Sequence, residues 1–178
     1  MKRFLMWLLL AVAALVFVST HVVWLADLPD RLATHFNASG KANGWMSRRS
    51  HGSFMLVFGL GVPAFILTLG SVMRFLPASL LNVPRRDYWH QPEHYPEACA
   101  IMFIWSQWQA AGLLVWMTLL NHEIVKANLL KPPHLSSTNT WALTAALLLS
   151  TGLSVAWMFW RFLKVPAHSA PQSTSVES

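Results

Sequence analysis

Five residues near the middle of the chain spell a metal site. His90-Gln91-Pro92-Glu93-His94 reads H-x-x-E-H, the inverted zinc-hydrolase signature, in which two histidines hold the metal and the glutamate works beside it. That chemistry needs both imidazoles on one face of a continuous helix. Pro92 stands between them. Its ring clashes with the preceding turn and pushes the residue before it out of the α region, so zinc chemistry is not expected here. A second set, His35, His51 and the pair His122-Glu123, has the ligand types of a metal-dependent hydrolase, but only the fold could gather residues so far apart. For His35 the competing expectation is a hydrogen bond inside its own loop. Nucleophile elbow, phosphate-binding loop and dinucleotide fingerprint are all absent from the sequence. The residues therefore predict no catalytic group, no metal ligand and no cofactor.

The elements around these residues are written in grease. Of 178 residues 54% are hydrophobic and 11% charged, with a mean hydropathy of +0.42, whereas a soluble domain carries roughly 25% charge. Four apolar runs reach spanning length: Phe4 to Ala26, about Gly52 to Phe75, about Ala98 to Leu120, and Trp141 to Leu163. The first also resembles a signal peptide, but Val18-Ser19-Thr20 is a poor cleavage site and the run is long for that role. His21 within it is expected to face the bundle as a satisfied histidine. Ser106, Gln107 and Gln109 lie near the middle of the third run, so they too are expected to face inward and bond other helices. The stretch from Asn121 to Asn139 reads as a polar connection.

The expected fold is an all-α integral membrane protein, a four-transmembrane-helix bundle with a short structured loop between the first two spans. Residues 1–164 form that domain and residues 165–178, rich in Ser, Pro and Gln, a disordered tail. The net charge of +6 is spread singly and in pairs between apolar runs, which suits anionic lipid and not nucleic acid. The expected partners are the lipid bilayer and another membrane protein or a second copy. Either protein partner would pack on Ala142, Ala146, Ser150 and Ser154, small residues at intervals of four. Lys2, Arg3, Arg74, Arg85, Arg86, Arg161 and Lys164 fall on one side, and Arg31, Lys41, Arg48, Arg49, Lys126 and Lys131 on the other. That near balance is tipped by Lys2-Arg3 ahead of the first span, so a multi-pass protein of the cell membrane with both termini cytoplasmic is expected. Cys99 is the lone cysteine, which excludes an intrachain disulfide.

Two loops stand out. Leu28-Pro29-Asp30-Arg31-Leu32 leads into Thr34 to Trp45, where Asn37-Ala38-Ser39-Gly40 and Asn43-Gly44 both read as turns, each glycine supplying a positive φ. His35, Phe36 and Trp45 would then meet as an aromatic-sided hairpin. Between Pro77 and Glu97 four prolines forbid a long helix, Tyr88 and Trp89 suit the headgroup level, and Pro92-Glu93 reads as the first turn of the next helix.

The first loop closely resembles the signature of a bacterial family, domain of unknown function 1648, roughly L-P-x-x-[IL]-x-x-H-F-[ND]-x-x-G-x-x-[DN]-G-[WY]-x-[SK]. Leu28, Pro29, His35, Phe36, Asn37, Gly40, Gly44 and Trp45 land on it. Asn82, Pro84, Asp87, Tyr88, Trp89, Pro92 and Glu93 match a further stretch, N-x-P-x-x-D-Y-W-x-x-P-E, so the likeness covers residues from about 9 to 98. The domain is also found at the N-terminus of SdpI-type immunity and signalling membrane proteins. The resemblance implies an integral bacterial membrane protein without established catalysis, and these matched residues as possible binding positions. Asn43 replaces a common acidic residue, and four spans are fewer than SdpI-type proteins have, so immunity itself does not transfer. The expected function is a non-enzymatic binding, sensing or immunity-type membrane module. A metal-dependent membrane hydrolase is the alternative, and small-solute transport past a Pro63 kink ranks third, because no charged residue lies mid-span.

Overall fold

The computed structural model describes residues 2–165; the tail expected beyond Val165 lies outside the described residues. The elements run α1 (Lys2–Asp27), β1 (Arg31–Phe36), β2 (Ala42–Ser47), α2 (Arg48–Val72), a short α3 (Arg86–Trp89), α4 (Tyr95–Leu129) and α5 (Ser137–Leu163), with two 3-10 turns between α2 and α3. α1, α2, α4 and α5 are long and apolar enough to cross a membrane. In such a solvent the backbone must satisfy itself, and helices do so. α1 has neither glycine nor proline and stops one residue before Leu28-Pro29, where the residue preceding proline leaves the α region. α2 runs through Pro63 without a break.

The chain is not all-α. The structured loop after α1 is an antiparallel two-stranded sheet, β1 against β2. The tight turn between Asn37 and Lys41 reverses the chain and lets the backbone pair with itself there, outside the greasy runs.

α4 is the axis of the molecule. α1 and α2 pack on it from one side and α5 from the other. Leu10 and Phe17 of α1, Met55 of α2 and Ala110, Ala111, Leu114 and Met117 of α4 form the main core. Phe17 fits because Gly59 offers no Cβ where its ring lies. Of the mid-span polar residues, Gln109 does bond another helix: its Oε1 accepts from Ser154 Oγ at 2.9 Å and its Nε2 donates to Thr151 Oγ1 at 3.4 Å. Ser106 is buried but donates to Phe103 of its own helix at 2.8 Å.

One expectation fails for a physical reason. The third span does not end near Leu120, because α4 continues to Leu129. Hydropathy falls there, yet Asn121, Glu123 and Asn128 point inward and find partners, so the polar stretch stays helical. At 35 residues α4 is about 52 Å long, well beyond the roughly 30 Å of hydrocarbon, so its last turns project from the bundle. Of the small residues on α5, Ser154 turns towards α4 beside half-buried Leu143, Leu147 and Thr151, while Ala142, Ala146 and Ser150 are exposed on the outer face.

Candidate functional site

The hairpin is built from its turn outwards. Asn37 Oδ1 accepts from Ser39 N at 3.1 Å, from Ser39 Oγ at 2.8 Å and from Lys41 N at 2.9 Å. Asn37 N donates to Lys41 O at 2.9 Å and Gly40 N to Asn37 O at 2.9 Å. The Asn37 side chain thus mimics a backbone acceptor and is consumed in shaping the turn. Gly40 has φ of 81°, the left-handed value that glycine adopts freely. Asn43-Gly44 is no turn. Both lie in β2, and Gly44 pairs with His35, whose Cβ would sit 2.7 Å from any Cβ placed there. Close approach and not φ is what requires glycine at that position. The His35 ring is exposed and, among the described residues, has no hydrogen-bond partner, so the bond expected inside its loop is not made.

α4 holds this hairpin from below. Asn128 Oδ1 accepts from Ala33 N at 2.7 Å, and Asn128 Nδ2 donates to Ala33 O at 2.8 Å and to Ile124 O at 2.9 Å. One side-chain amide therefore stands in for a third strand. Leu28, Leu32 and Val125 close a small core around the clamp, with Trp24 and Leu25 packed on it. The entry turn at Pro29 is closed by Arg48, which pairs with Asp30, donates to Ala26 O at 3.3 Å and sends its own N–H to Asp30 O at 2.9 Å. From above, the α4–α5 connection lies along the turn: Leu135 N donates to Gly40 O at 2.9 Å, Lys41 bridges to His134, and Ser137 Oγ donates to Ala38 O at 3.0 Å. What remains open is one edge, where Arg31 and Trp45 line a hollow of about 280 Å³. Pro29 and Asn37 are also exposed, and Phe36 is half-buried.

Beneath the hairpin three helices meet through buried polar groups. His21 Nε2 lies 3.2 Å from Gly52 O, an acceptor, so that nitrogen carries the hydrogen. Its Nδ1 then accepts from Asn121 Nδ2 at 3.2 Å, while Asn121 Oδ1 accepts from His51 Nε2 at 3.2 Å. The bonding sequence permits one tautomer for each ring, and it ties α1, α2 and α4 together. His21 is satisfied and faces the bundle, as its place in the sequence suggested. His51 has the residue type of a ligand and Asn121 carries no signal of its own in the sequence; only the close approach of the helices shows that both belong to a structural relay.

The second loop sits at the far end of the bundle. Trp89 is 2% exposed, stands edge-on to Phe162 at 5.4 Å and donates its indole N–H to Phe162 O at 2.8 Å. It plugs the C-terminal end of α5. Tyr88 stacks on His94 at 3.8 Å, and His90 Nε2 bonds Leu81 O at 2.8 Å. The two histidines of the H-x-x-E-H spelling thus have different partners, with α3 ended at Trp89 and α4 not yet begun. Pro92 and Glu93 precede α4 instead of opening it; Pro96 and Glu97 take those places in its first turn. Asn82, Asp87, Pro92 and Glu93 are exposed and Pro84 half-buried.

The residues of the two loops are therefore not one site, since the length of α2 separates them. Nor do His35, His51 and His122-Glu123 converge: among the described residues no three His, Cys, Asp or Glu side chains are placed to hold a metal. His51 belongs to the relay, His122 tilts against Trp24 at 4.9 Å, and Glu123 turns towards α5.

Residues 5–60 match the family model described as domain of unknown function (DUF1648). That stretch, less than a third of the chain, is similar to the domain. The DUF1648 match takes in α1, the whole hairpin and the first half of α2, so Pro29, His35, Phe36, Asn37, Gly40, Gly44 and Trp45 fall inside it. The second loop lies beyond its end. No curated protein and no solved structure matches the chain.

Proposed function

We propose that the chain is a non-enzymatic membrane module that binds or senses a partner through the open edge of its hairpin. One observation carries this reading. The hairpin is fixed from below by Asn128 and from above by Leu135, while Arg31, His35 and Trp45 remain exposed on it. A rigid platform with an exposed aromatic and a cation suits recognition, because little ordering cost is left to binding. Immunity is a narrower form of the same reading, supported by the family resemblance. In a host with a scorable deletion phenotype, Arg31→Ala and Trp45→Ala should keep the yield and melting temperature of the purified protein yet lose complementation. Unchanged complementation by both variants would remove the hairpin edge as the site. A stoichiometric metal in the detergent-purified protein, lost on His35→Ala, would favour the hydrolase alternative.

The same reading places the protein in the bacterial inner membrane with both termini cytoplasmic and the hairpin outside, supported by Lys2-Arg3 ahead of α1. Cys99, the lone cysteine, is buried, and its replacement by serine gives a cysteine-free background. Single cysteines at the exposed positions Ser39 and Thr138 should then react with an impermeant thiol reagent on whole cells. Cysteines at exposed Ser79 and Gln91 should react only after lysis. Labelling of position 79 from outside would invert the orientation.

A further inference from the structure

At the hairpin end, α4 and α5 diverge around a groove of about 310 Å³ that no part of the proposed hairpin edge enters. Its polar end holds Glu123, which is 8% exposed yet belongs to the projecting end of a membrane helix. Glu123 Oε1 accepts from Lys126 Nζ at 3.1 Å and Oε2 from Asn139 Nδ2 at 3.2 Å. His122 lies beside it in the wall. The other end is apolar: Leu119 and Ala142 are exposed, Leu143 is half-buried, and the adjacent Trp141 is 66% exposed. The most apolar stretch of α5 has none of its residues buried, so the groove opens sideways onto the surface that faces lipid. Exposed tryptophan of that kind marks the headgroup level of a bilayer.

We propose that this groove is a site for an aminophospholipid, with the lipid ammonium donating to Glu123 and its phosphate accepting from Lys126. The fit is one of charge and geometry. Glu123 is nearly out of water, and Lys126, with its side chain 52% exposed, covers it from one side only. Glu123 lines the groove, and Lys126, one helical turn further along α4, pairs with it at 3.1 Å from just outside the lining. Both signs therefore stand at the groove's polar end, which matches a zwitterionic head and neither a simple cation nor a simple anion. The ammonium must carry N–H, because charge-assisted hydrogen bonds to a carboxylate need a donor. Choline heads have none, so phosphatidylethanolamine is selected over phosphatidylcholine. Leu119, Ala142 and Leu143 then receive the start of an acyl chain, which a soluble amine lacks.

The full chain is reconstituted in nanodiscs of equal phosphatidylethanolamine and phosphatidylcholine, extracted into detergent and washed, and its retained lipids are weighed by mass spectrometry. Wild type is expected to retain phosphatidylethanolamine about fivefold over phosphatidylcholine, the size of one net hydrogen bond. Glu123→Gln and Ala142→Trp should both return the ratio to that of the bulk lipid. Ala142→Trp replaces an exposed methyl and breaks no bond of Glu123, so it decides the matter should Glu123→Gln fold poorly. A bulk ratio in wild type, or enrichment that survives Ala142→Trp, overturns the site. Release of the retained lipid by millimolar soluble phosphoethanolamine overturns the lipid as its source and assigns the groove to a free amine. None of these outcomes depends on the hairpin edge.

Discussion

Gly40→Val is expected to abolish the folded hairpin end, at a cost of about 3–5 kcal/mol. Two penalties add at this residue. Its φ of 81° is left-handed, which charges an L-residue about 1–2 kcal/mol and a β-branched one more. A Cβ here would also collide with the carbonyl oxygen of Leu135, a backbone atom that cannot swing aside. Relief of that collision requires the α4–α5 connection to lift, which forfeits the bond from Leu135 N to Gly40 O and the bridge between Lys41 and His134. The melting temperature of the detergent-solubilised protein, read by size exclusion after heating, should drop by many degrees or the yield vanish. Gly40→Asn separates the two penalties. Asparagine tolerates the left-handed region but still carries a Cβ, so it should be nearly as damaging as Gly40→Ala. Recovery of wild-type melting by Gly40→Asn would show that strain alone requires glycine there.

Asn128→Leu should be the next most damaging change, at about 2–5 kcal/mol. Leucine keeps the volume and removes the clamp, so the N–H and C=O of Ala33 lose their partners in a place where water does not reach. Each orphaned buried group costs about 1–3 kcal/mol. Asn128→Asp is the informative companion. It still accepts from Ala33 N but cannot donate to Ala33 O, and it buries a carboxylate against a carbonyl. It should therefore be no better than leucine. If Asn128→Leu melts within a degree or two of wild type, the hairpin stands on its own strand pairing and the clamp is incidental.

The spans were legible in the sequence because length and hydropathy act within one segment. So was the hairpin, because Asn37 and Gly40 are turn formers wherever they occur. Roles that depend on what a residue meets were not legible. Trp89 reads as an interfacial anchor by type, and only the arrival of Phe162 from another helix makes it a plug. Asn121 and Asn128 read as the start of a polar loop, since nothing local reveals that His21, His51 and Ala33 await them. Gly44 looked like a turn glycine because the sequence shows the dipeptide but not the His35 Cβ across the ladder. The groove beside Glu123 had no sequence signal beyond a carboxylate next to a histidine.

The order in which the chain is made gives the α4 clamps a further meaning. α1, the hairpin and α2 leave the ribosome before α4, and they emerge with the His21–His51 relay lacking its central amide and Ala33 lacking its clamp. Those partners arrive only with the far end of α4, and Leu135 arrives later still to lie on Gly40. The stretch matched as a domain is thus a unit of sequence without being a unit of assembly. Until a helix outside its own boundary reaches it, these groups lack the partners they have in the folded chain.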